Sequence, residues 1–307
     1  GTHYLHFTLS GPPRAPSQPL IIILPGVTCS VTQWSAVVRL LSPHYPVLTY
    51  ERAGYGLSTP SPLLPTAENI VLELYTTLGI LEIEGPLVLV GHSFGGVLVR
   101  EFVHLLREKR AAGEVGAGVG VEVAGVAFID ANQEGNHVLW PNPAWAPIEQ
   151  GLDFWEVTGV RAETKLTDTE WEEMISVTST TQYAVTAQRE MEEYVPSMNV
   201  LGQKRQFEMQ PALLEGLPVG VLKARTVRDH ERLYREGVRR GNGSEMVRQA
   251  MSEKLGWYDE VDGRLQRELL KLAGREGGRW VETAGSGHWV HMTEPEVVVE
   301  VVRWVVE

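Results

Sequence analysis

The strongest constraint on the fold is a rhythm in the apolar residues. Short runs rich in Val, Ile and Leu, each closed by a turn signal or a polar group, alternate with longer stretches of helical periodicity. The runs are residues 20–24 before Pro25-Gly26, 47–50 before Glu51-Arg52, 87–90 before Gly91, and 119–129 before Asp130. They lack polar alternation, as strands covered on both faces of a parallel sheet do. Between them, residues 31–41, 67–78 and 94–109 repeat apolar side chains at helical spacing, with Val97, Val103, Leu105 and Leu106 supplying one stripe. Strand alternating with helix predicts an α/β fold with a doubly wound, mostly parallel sheet. Two further runs, 218–223 and 279–283, continue the pattern. Residues 294–306 close it as a helix, with Pro295 in the first turn and Glu294 and Glu296 near the positive end of its dipole.

One segment breaks the rhythm. Residues 131–217 contain no convincing buried strand but hold Trp140, Trp145, Trp155 and Trp171 and helical stretches at 169–177 and 183–194. A span of about 85 residues is too long for a structureless loop in a compact domain. The expected organisation is therefore a core of residues 1–130 and 218–307 with an inserted helical lid at 131–217. The Gly/Ala-rich residues 111–120 read as a flexible surface connection. Residues 225–240 mix bases with acids and read as a solvated helical face, broken at 237–244 before another helix, with 262–272 as a third. No role follows from these helices.

Composition removes several classes of function. Lys plus Arg is 27 and Asp plus Glu is 39, a formal charge of −12 that repels phosphate backbones and anionic membrane surfaces. No nucleic-acid or membrane partner is expected, only a small-molecule substrate, and the oligomeric state is left open. The single cysteine, Cys29, excludes an intramolecular disulfide framework and a multi-Cys zinc site. It reads as a small buried apolar residue and not a second nucleophile. The longest strictly apolar stretch, Leu20–Leu24, is far short of the ~20 residues of a spanning helix. With no signal-peptide pattern in the first residues, a cytoplasmic location is the default expectation. His288 and His291 have no acidic or cysteine partner that completes a metal signature, and Gly54-Tyr55-Gly56 lacks the third glycine of a dinucleotide fingerprint. Neither metal nor cofactor is expected.

The chemistry centres on Gly91-His92-Ser93-Phe94-Gly95-Gly96, directly after an apolar strand and directly before a helix. A serine in G-x-S-x-G at that junction sits on a sharp turn whose flanking glycines avoid a Cβ clash, and its hydroxyl projects from the carboxyl edge of the sheet. The following helix aims its free N–H groups and positive end at the same point.

These residues resemble the α/β-hydrolase superfamily, in its lid-bearing branch, over nearly the whole chain. The resemblance rests on Leu24-Pro25-Gly26-Val27 after an early strand, Glu51-Arg52-Ala53-Gly54-Tyr55-Gly56-Leu57-Ser58 after the next, the Ser93 turn, and Gly285-Ser286-Gly287-His288 before the terminal helix. It implies Ser93 as nucleophile and His288 as general base, because a serine hydroxyl needs an adjacent imidazole and His288 follows the last strand in the required chain order. His92 is too close to Ser93 along the backbone to serve, and His291 lies further on. Two aspartates compete to orient the imidazole. Asp130 ends the fourth apolar run at the carboxyl edge, where catalytic groups gather. Asp229 follows the next strand, the commoner place in the superfamily, but Thr226-x-x-Asp229 also reads as a helix start. Asp130 is preferred, with Asp229 the alternative. The family pattern assigns the oxyanion donors to the backbone of Val27 and Phe94. Pro25 stands where relatives carry a histidine, so the scaffold that this histidine often supplies is missing. Trp140, Trp145 and Trp289 are candidates for the wall of an apolar substrate pocket.

The expected function is a serine hydrolase cleaving an ester or lactone of a medium-sized, mostly apolar molecule through an acyl-enzyme. The alternatives are an acyltransferase or cyclase of a biosynthetic pathway using the same three residues, and a receptor-like ligand-binding relative with vestigial turnover.

Overall fold

The computed structural model describes residues 2–15, 17–113, 120–142, 145–274 and 278–307. A seven-stranded sheet forms its centre, with strands β1 (Phe7–Ser10), β2 (Leu20–Leu24), β3 (Val47–Tyr50), β4 (Leu87–His92), β5 (Val123–Ile129), β6 (Val219–Lys223) and β7 (Gly278–Glu282). Their spatial order is β1-β3-β2-β4-β5-β6-β7, and every pair is parallel except the antiparallel edge pair of β1 with β3. The sheet is the mostly parallel, doubly wound one that the apolar rhythm predicts.

Why the runs lack alternation is visible in how each divides its side chains. Leu20, Ile22 and Leu24 join one apolar core and Ile21 and Ile23 the other; Leu87 and Leu89 oppose Val88 and Val90, and Val126 and Phe128 oppose Ala127 and Ile129. Both faces are covered, so both need apolar residues. Helices α1 (Ser35–Leu41) and the C-terminal α12 (Pro295–Val306) cover one face. Helices α2 (Ala67–Ile80) and α3 (Gly95–Ala111) cover the other.

Between β5 and β6 come only helices among the described residues: three single-turn pieces, α4 (Ala146–Glu149), α5 (Phe154–Val157) and α6 (Val160–Glu163), then α7 (Asp168–Thr178) and α8 (Thr181–Gln203). α8 is not peripheral. Its Tyr194, Met198 and Leu201 are fully buried in the same core as α2 and α3. Between β6 and β7 lie α9 (Val227–Arg239) and α10 (Glu245–Glu268), and the four-residue α11 (Val290–Thr293) precedes α12.

Two elements differ from the sequence reading. β1 escaped the sequence reading because it is a short edge strand with no fully buried residue, so no apolar run marks it. The third helix expected at 262–272 is instead the end of α10, which runs unbroken from Glu245 to Glu268 before a 3-10 turn at Leu269–Ala273. Of the connection at 111–120, residues 114–119 lie outside the described residues, as does Val119 of the fourth apolar run.

Phe128 is fully buried in the middle of this sheet. Phe128→Ala should lower stability by about 3–5 kcal/mol, from lost transfer energy plus the cavity left behind. The midpoint of urea unfolding measures it, and a loss below about 1 kcal/mol would contradict this packing.

Candidate active site

Ser93 stands at the turn between β4 and α3, at φ 53° in the left-handed region that side chains rarely adopt. A non-glycine residue held there costs on the order of 1–3 kcal/mol and persists only where the surroundings fix it. Here the fixing is steric. A Cβ on Gly95 would lie 1.9 Å from the Leu24 carbonyl oxygen, so α3 can start this close to the end of β2 only with glycine in that place. The turn is also pinned by its own carbonyl, which accepts from Gly96 N (2.9 Å) and Asn132 N (2.8 Å).

His288 lies in the loop between β7 and α11. Its Nδ1 donates to Asp130 Oδ2 at 2.6 Å, and its backbone N donates to Asp229 Oδ2 at 2.9 Å. The two competing aspartates thus hold one residue in different ways: Asp130 holds the ring, and Asp229 holds the chain. A Cβ on Gly287 would fall 2.0 Å from Asp229 Oδ1, so glycine there lets the loop settle onto that carboxylate. His92, too near Ser93 to face it, supports the same loop from below, its Nε2–H donating to the His288 carbonyl at 2.9 Å. Burial pushes its pKa down to about 3, so it does this as the neutral ring. His291 sits beyond it, fully buried, stacked on Trp34 at 4.5 Å. Among the described residues neither of its ring nitrogens has a partner.

Asp130 is 1 % exposed, and four donors converge on it. Oδ1 accepts from Ala224 N (3.0 Å) and Gln266 Nε2 (2.8 Å), and Oδ2 from Thr226 Oγ1 (2.5 Å) and His288 Nδ1. Burial alone would raise its pKa, but the hydrogen bonds and charge of His288, with the bonds from Thr226 and Gln266, hold it below the ordinary carboxylate value. His288 is the mirror case. Burial lowers its pKa, and the hydrogen bond and charge of Asp130 more than reverse this, leaving it raised. Asp229 lacks such a set of donors, and burial pushes it up to about 6.

Ser93, His288, Asp130, Asp229 and Val27 open on one cavity of about 180 Å³. Phe94 stands next to it as the residue preceding α3, its ring fully buried against Tyr194 at 5.4 Å. Trp140 and Trp289 line the cavity, as does Phe154. Trp145 does not. It is buried with Ile148 and Met251 and stacks at 4.4 Å on His230, which itself lines the wall. Cys29 also borders the cavity, but its thiol is buried and its pKa is pushed up to about 12, so it is no ready nucleophile.

Sequence reasoning missed one wall altogether. Tyr258, Asp262 and Gln266 recur every fourth residue on one face of α10, and all three line the cavity. Gln266 Nε2 reaches Asp262 Oδ2 (3.0 Å) as well as Asp130. Burial, and then the nearby charge of Asp130, raise Asp262 to about 7. The signal was present as a buried-type polar stripe at i, i+4, i+8, but nothing marked it as facing a site. No group of three or more His, Cys, Asp or Glu side chains among the described residues has the arrangement of a metal site. No helix among them is long and apolar enough to cross a membrane.

Comparison with known proteins bears on the family and the fold. The model of the alpha/beta hydrolase family matches residues 21–301. An AB hydrolase superfamily protein of Gibberella zeae is 29% identical over 311 residues, covering 99% of this chain and 91% of its own. A probable transporter, efuK, of Hormonema carpetanum is 32% identical over 314 residues, which is 100% of this chain and 42% of that protein. Among solved structures, the enol-lactonase of Burkholderia xenovorans LB400 superposes with a TM-score of 0.55 at 18% identity, over 99% of this chain and 97% of that one.

The electrostatics give a test of which aspartate matters to the ring. In Asp130→Asn the burial of His288 remains while its main stabilising partner is gone, so its pKa should drop below 6.5. Asp229→Asn should produce a smaller fall. Imidazole titration by nuclear magnetic resonance reads both, and an equal or larger fall in Asp229→Asn would reverse the assignment.

Proposed function

Because the chain belongs to the alpha/beta hydrolase family, we propose that it is a serine hydrolase cleaving an ester or lactone of a medium-sized, mostly apolar molecule through an acyl-enzyme. The observation that carries the reading is a serine held at positive φ on the sheet edge, sharing one cavity with a histidine whose Nδ1 is bonded to a buried aspartate. In this mechanism His288 Nε2 takes the Ser93 proton as Oγ attacks the carbonyl carbon. Asp130 fixes the tautomer, with the proton on Nδ1, and stabilises the imidazolium that forms. The Val27 and Phe94 N–H groups, together with the amino end of α3, receive the negative charge that develops on the carbonyl oxygen. His288 then protonates the leaving alcohol, and water repeats the sequence on the acyl-enzyme.

Residues 131–217 act in this reading as the lid over the core of residues 1–130 and 218–307. The cavity wall supports the substrate class: Leu139, Trp140, Phe154 and Trp289 give an apolar side, suited to a ligand bound mainly by contact area. The structurally similar Burkholderia protein is an enol-lactonase, in keeping with an ester or lactone carbonyl here.

Three measurements test it. A fluorophosphonate should label wild-type protein at Ser93 and leave Ser93→Ala unlabelled, while kcat on aryl esters should fall about 10⁶-fold in Ser93→Ala and His288→Ala and about 10⁴-fold in Asp130→Asn. Comparable turnover in Ser93→Ala would refute the mechanism. The base acts neutral, and its pKa is raised above 6.5, so kcat/KM should rise with pH through a value above 6.5 and then level off. A rate independent of pH between 5 and 8 would remove His288 from the role.

A further inference from the structure

Pro25 stands where the family resemblance leads one to expect a bracing histidine, yet the loop carrying Val27 is held by several side chains from outside it. Arg52, from the turn after β3, is 3 % exposed, and its guanidinium lies under residues 25–29. Nη1 donates to the Pro25 carbonyl (3.1 Å), and Nη2 donates to the carbonyls of Gly26 (2.8 Å) and Cys29 (3.4 Å). The remaining face is occupied by Glu190 of α8, 1 % exposed, which takes Arg52 Nε at 2.7 Å and Nη2 at 2.9 Å. Glu190 Oε2 also accepts from Thr28 N (2.6 Å) and from the Tyr55 hydroxyl (2.8 Å). Thr28 is held at φ 57°, a conformation that needs such external fixing. Tyr183, also on α8, donates its hydroxyl to the Thr28 carbonyl.

One of these bonds bears directly on the oxyanion donor. The Gly26 carbonyl and the Val27 N–H belong to the same trans peptide unit, which is planar, so they point in opposite directions. Anchoring the carbonyl on Arg52 therefore aims the N–H away from the guanidinium. Val27 lines the cavity with Ser93 and His288.

We propose that Arg52, locked by Glu190 of α8, is the positioning residue of the oxyanion hole, replacing the absent histidine by gripping the Gly26-Val27 peptide through its carbonyl. It touches no substrate and acts only through the Val27 N–H. The inference deepens the serine-hydrolase reading and rests on it. A lysine cannot reproduce the grip, since one ammonium lacks the planar fork that serves three carbonyls and a carboxylate together. A buried ion pair exchanged as a whole for apolar residues of similar volume is often tolerated by the fold. Positioning and stability can thus be separated.

The test compares wild type with Arg52→Lys, Glu190→Gln and the double variant Arg52→Met/Glu190→Leu, on 4-nitrophenyl esters. Active sites are counted by fluorophosphonate labelling, and kcat is expressed per labelled site. An aryl trifluoromethyl ketone, whose hemiketal oxyanion occupies the hole, probes it directly. Arg52→Lys and the double variant should lose roughly 10²-fold in kcat per labelled site, the scale of one lost oxyanion donor. KM should stay within about threefold, and the ketone should bind weaker by a factor similar to the fall in kcat, as expected when an interaction made in the transition state is lost. The double variant should recover melting temperature over Arg52→Lys without recovering kcat. The proposal is overturned if kcat per labelled site and ketone affinity stay within threefold of wild type in the variants that fold, whatever their melting temperatures. If Arg52→Lys does not fold, the double variant and Glu190→Gln, which keeps the shape but removes the charge and one acceptor oxygen and should also lower kcat per labelled site, decide the matter. Wild-type protein that neither labels at Ser93 nor turns over any ester would sink the hydrolase reading itself, a result distinct from normal wild-type turnover with insensitive variants.

Discussion

A single buried carboxylate organises the site. Asp130 ends β5 at φ 40°, nearly inaccessible to water, and an ionised group there is tolerated only because its oxygens are fully engaged. The donors come from four places: the backbone just after β6, Thr226 at the start of α9, Gln266 of α10, and the ring of His288. Each of those elements must be in register for the charge to be borne. The sheet order brings β5 next to β6 and β6 next to β7, so the loops leaving their carboxyl ends lie side by side over this one group. The catalytic geometry proposed for His288 is in that sense a by-product of satisfying Asp130.

Three aspartates crowd this histidine, and their environments separate them. Asp130 is held ionised by donors. Asp229 and Asp262, less well served, are pushed up to about 6 and about 7. The nearest cation to Asp262, Lys223 Nζ, is 4.0 Å away and bonds instead to Asp259 at 2.7 Å. For Asp130 the bond and the charge of His288 come first and the bonds from Thr226 and Gln266 after them, and together they keep it ionised against burial. The arrangement leaves one strong partner for the imidazole ring, with the other two carboxylates easily neutralised.

What the sequence made legible follows from the range of the signals. The six parallel strands, the Ser93 turn and the loop of His288 were readable because each is encoded locally, in an apolar run, a pair of glycines or a Gly-x-Gly turn. Preferring Asp130 over Asp229 also used a local cue, since the Thr226-x-x-Asp229 pattern does mark the start of α9. What stayed hidden depends on contacts between distant residues. Arg52 and Glu190 are 138 positions apart, and each alone reads as an ordinary surface charge. The α10 stripe gained meaning only once folding turned it toward Asp130. Trp145 failed as a pocket residue for the same reason: proximity in sequence to Asp130 did not decide which way its ring would pack, and Ile148 and Met251 claimed it.

The same long-range pair bears on how a substrate reaches Ser93. α8 presents Gln182, Tyr183, Thr186 and Glu190 to the loops after β2 and β3, and it sinks Tyr194, Met198 and Leu201 into the core. Lifting it would strand the Arg52 charge in the interior, and breaking a buried pair in this way costs about 3–5 kcal/mol before any apolar contact is lost. The opposite rim is different. α5 buries none of its side chains, yet its Phe154 lines the cavity and meets Trp289 edge to face at 6.0 Å. Displacing that single turn separates three aromatic pairs, Phe154 and Trp155 from Trp289 and Trp155 from Trp171, each worth about 0.5–1.5 kcal/mol beyond area burial. The α5 rim is thus held by contacts between rings, while the α8 side adds a buried ion pair to the burial of three core side chains. Opening on the α8 side therefore carries a charge penalty that opening on the α5 side does not.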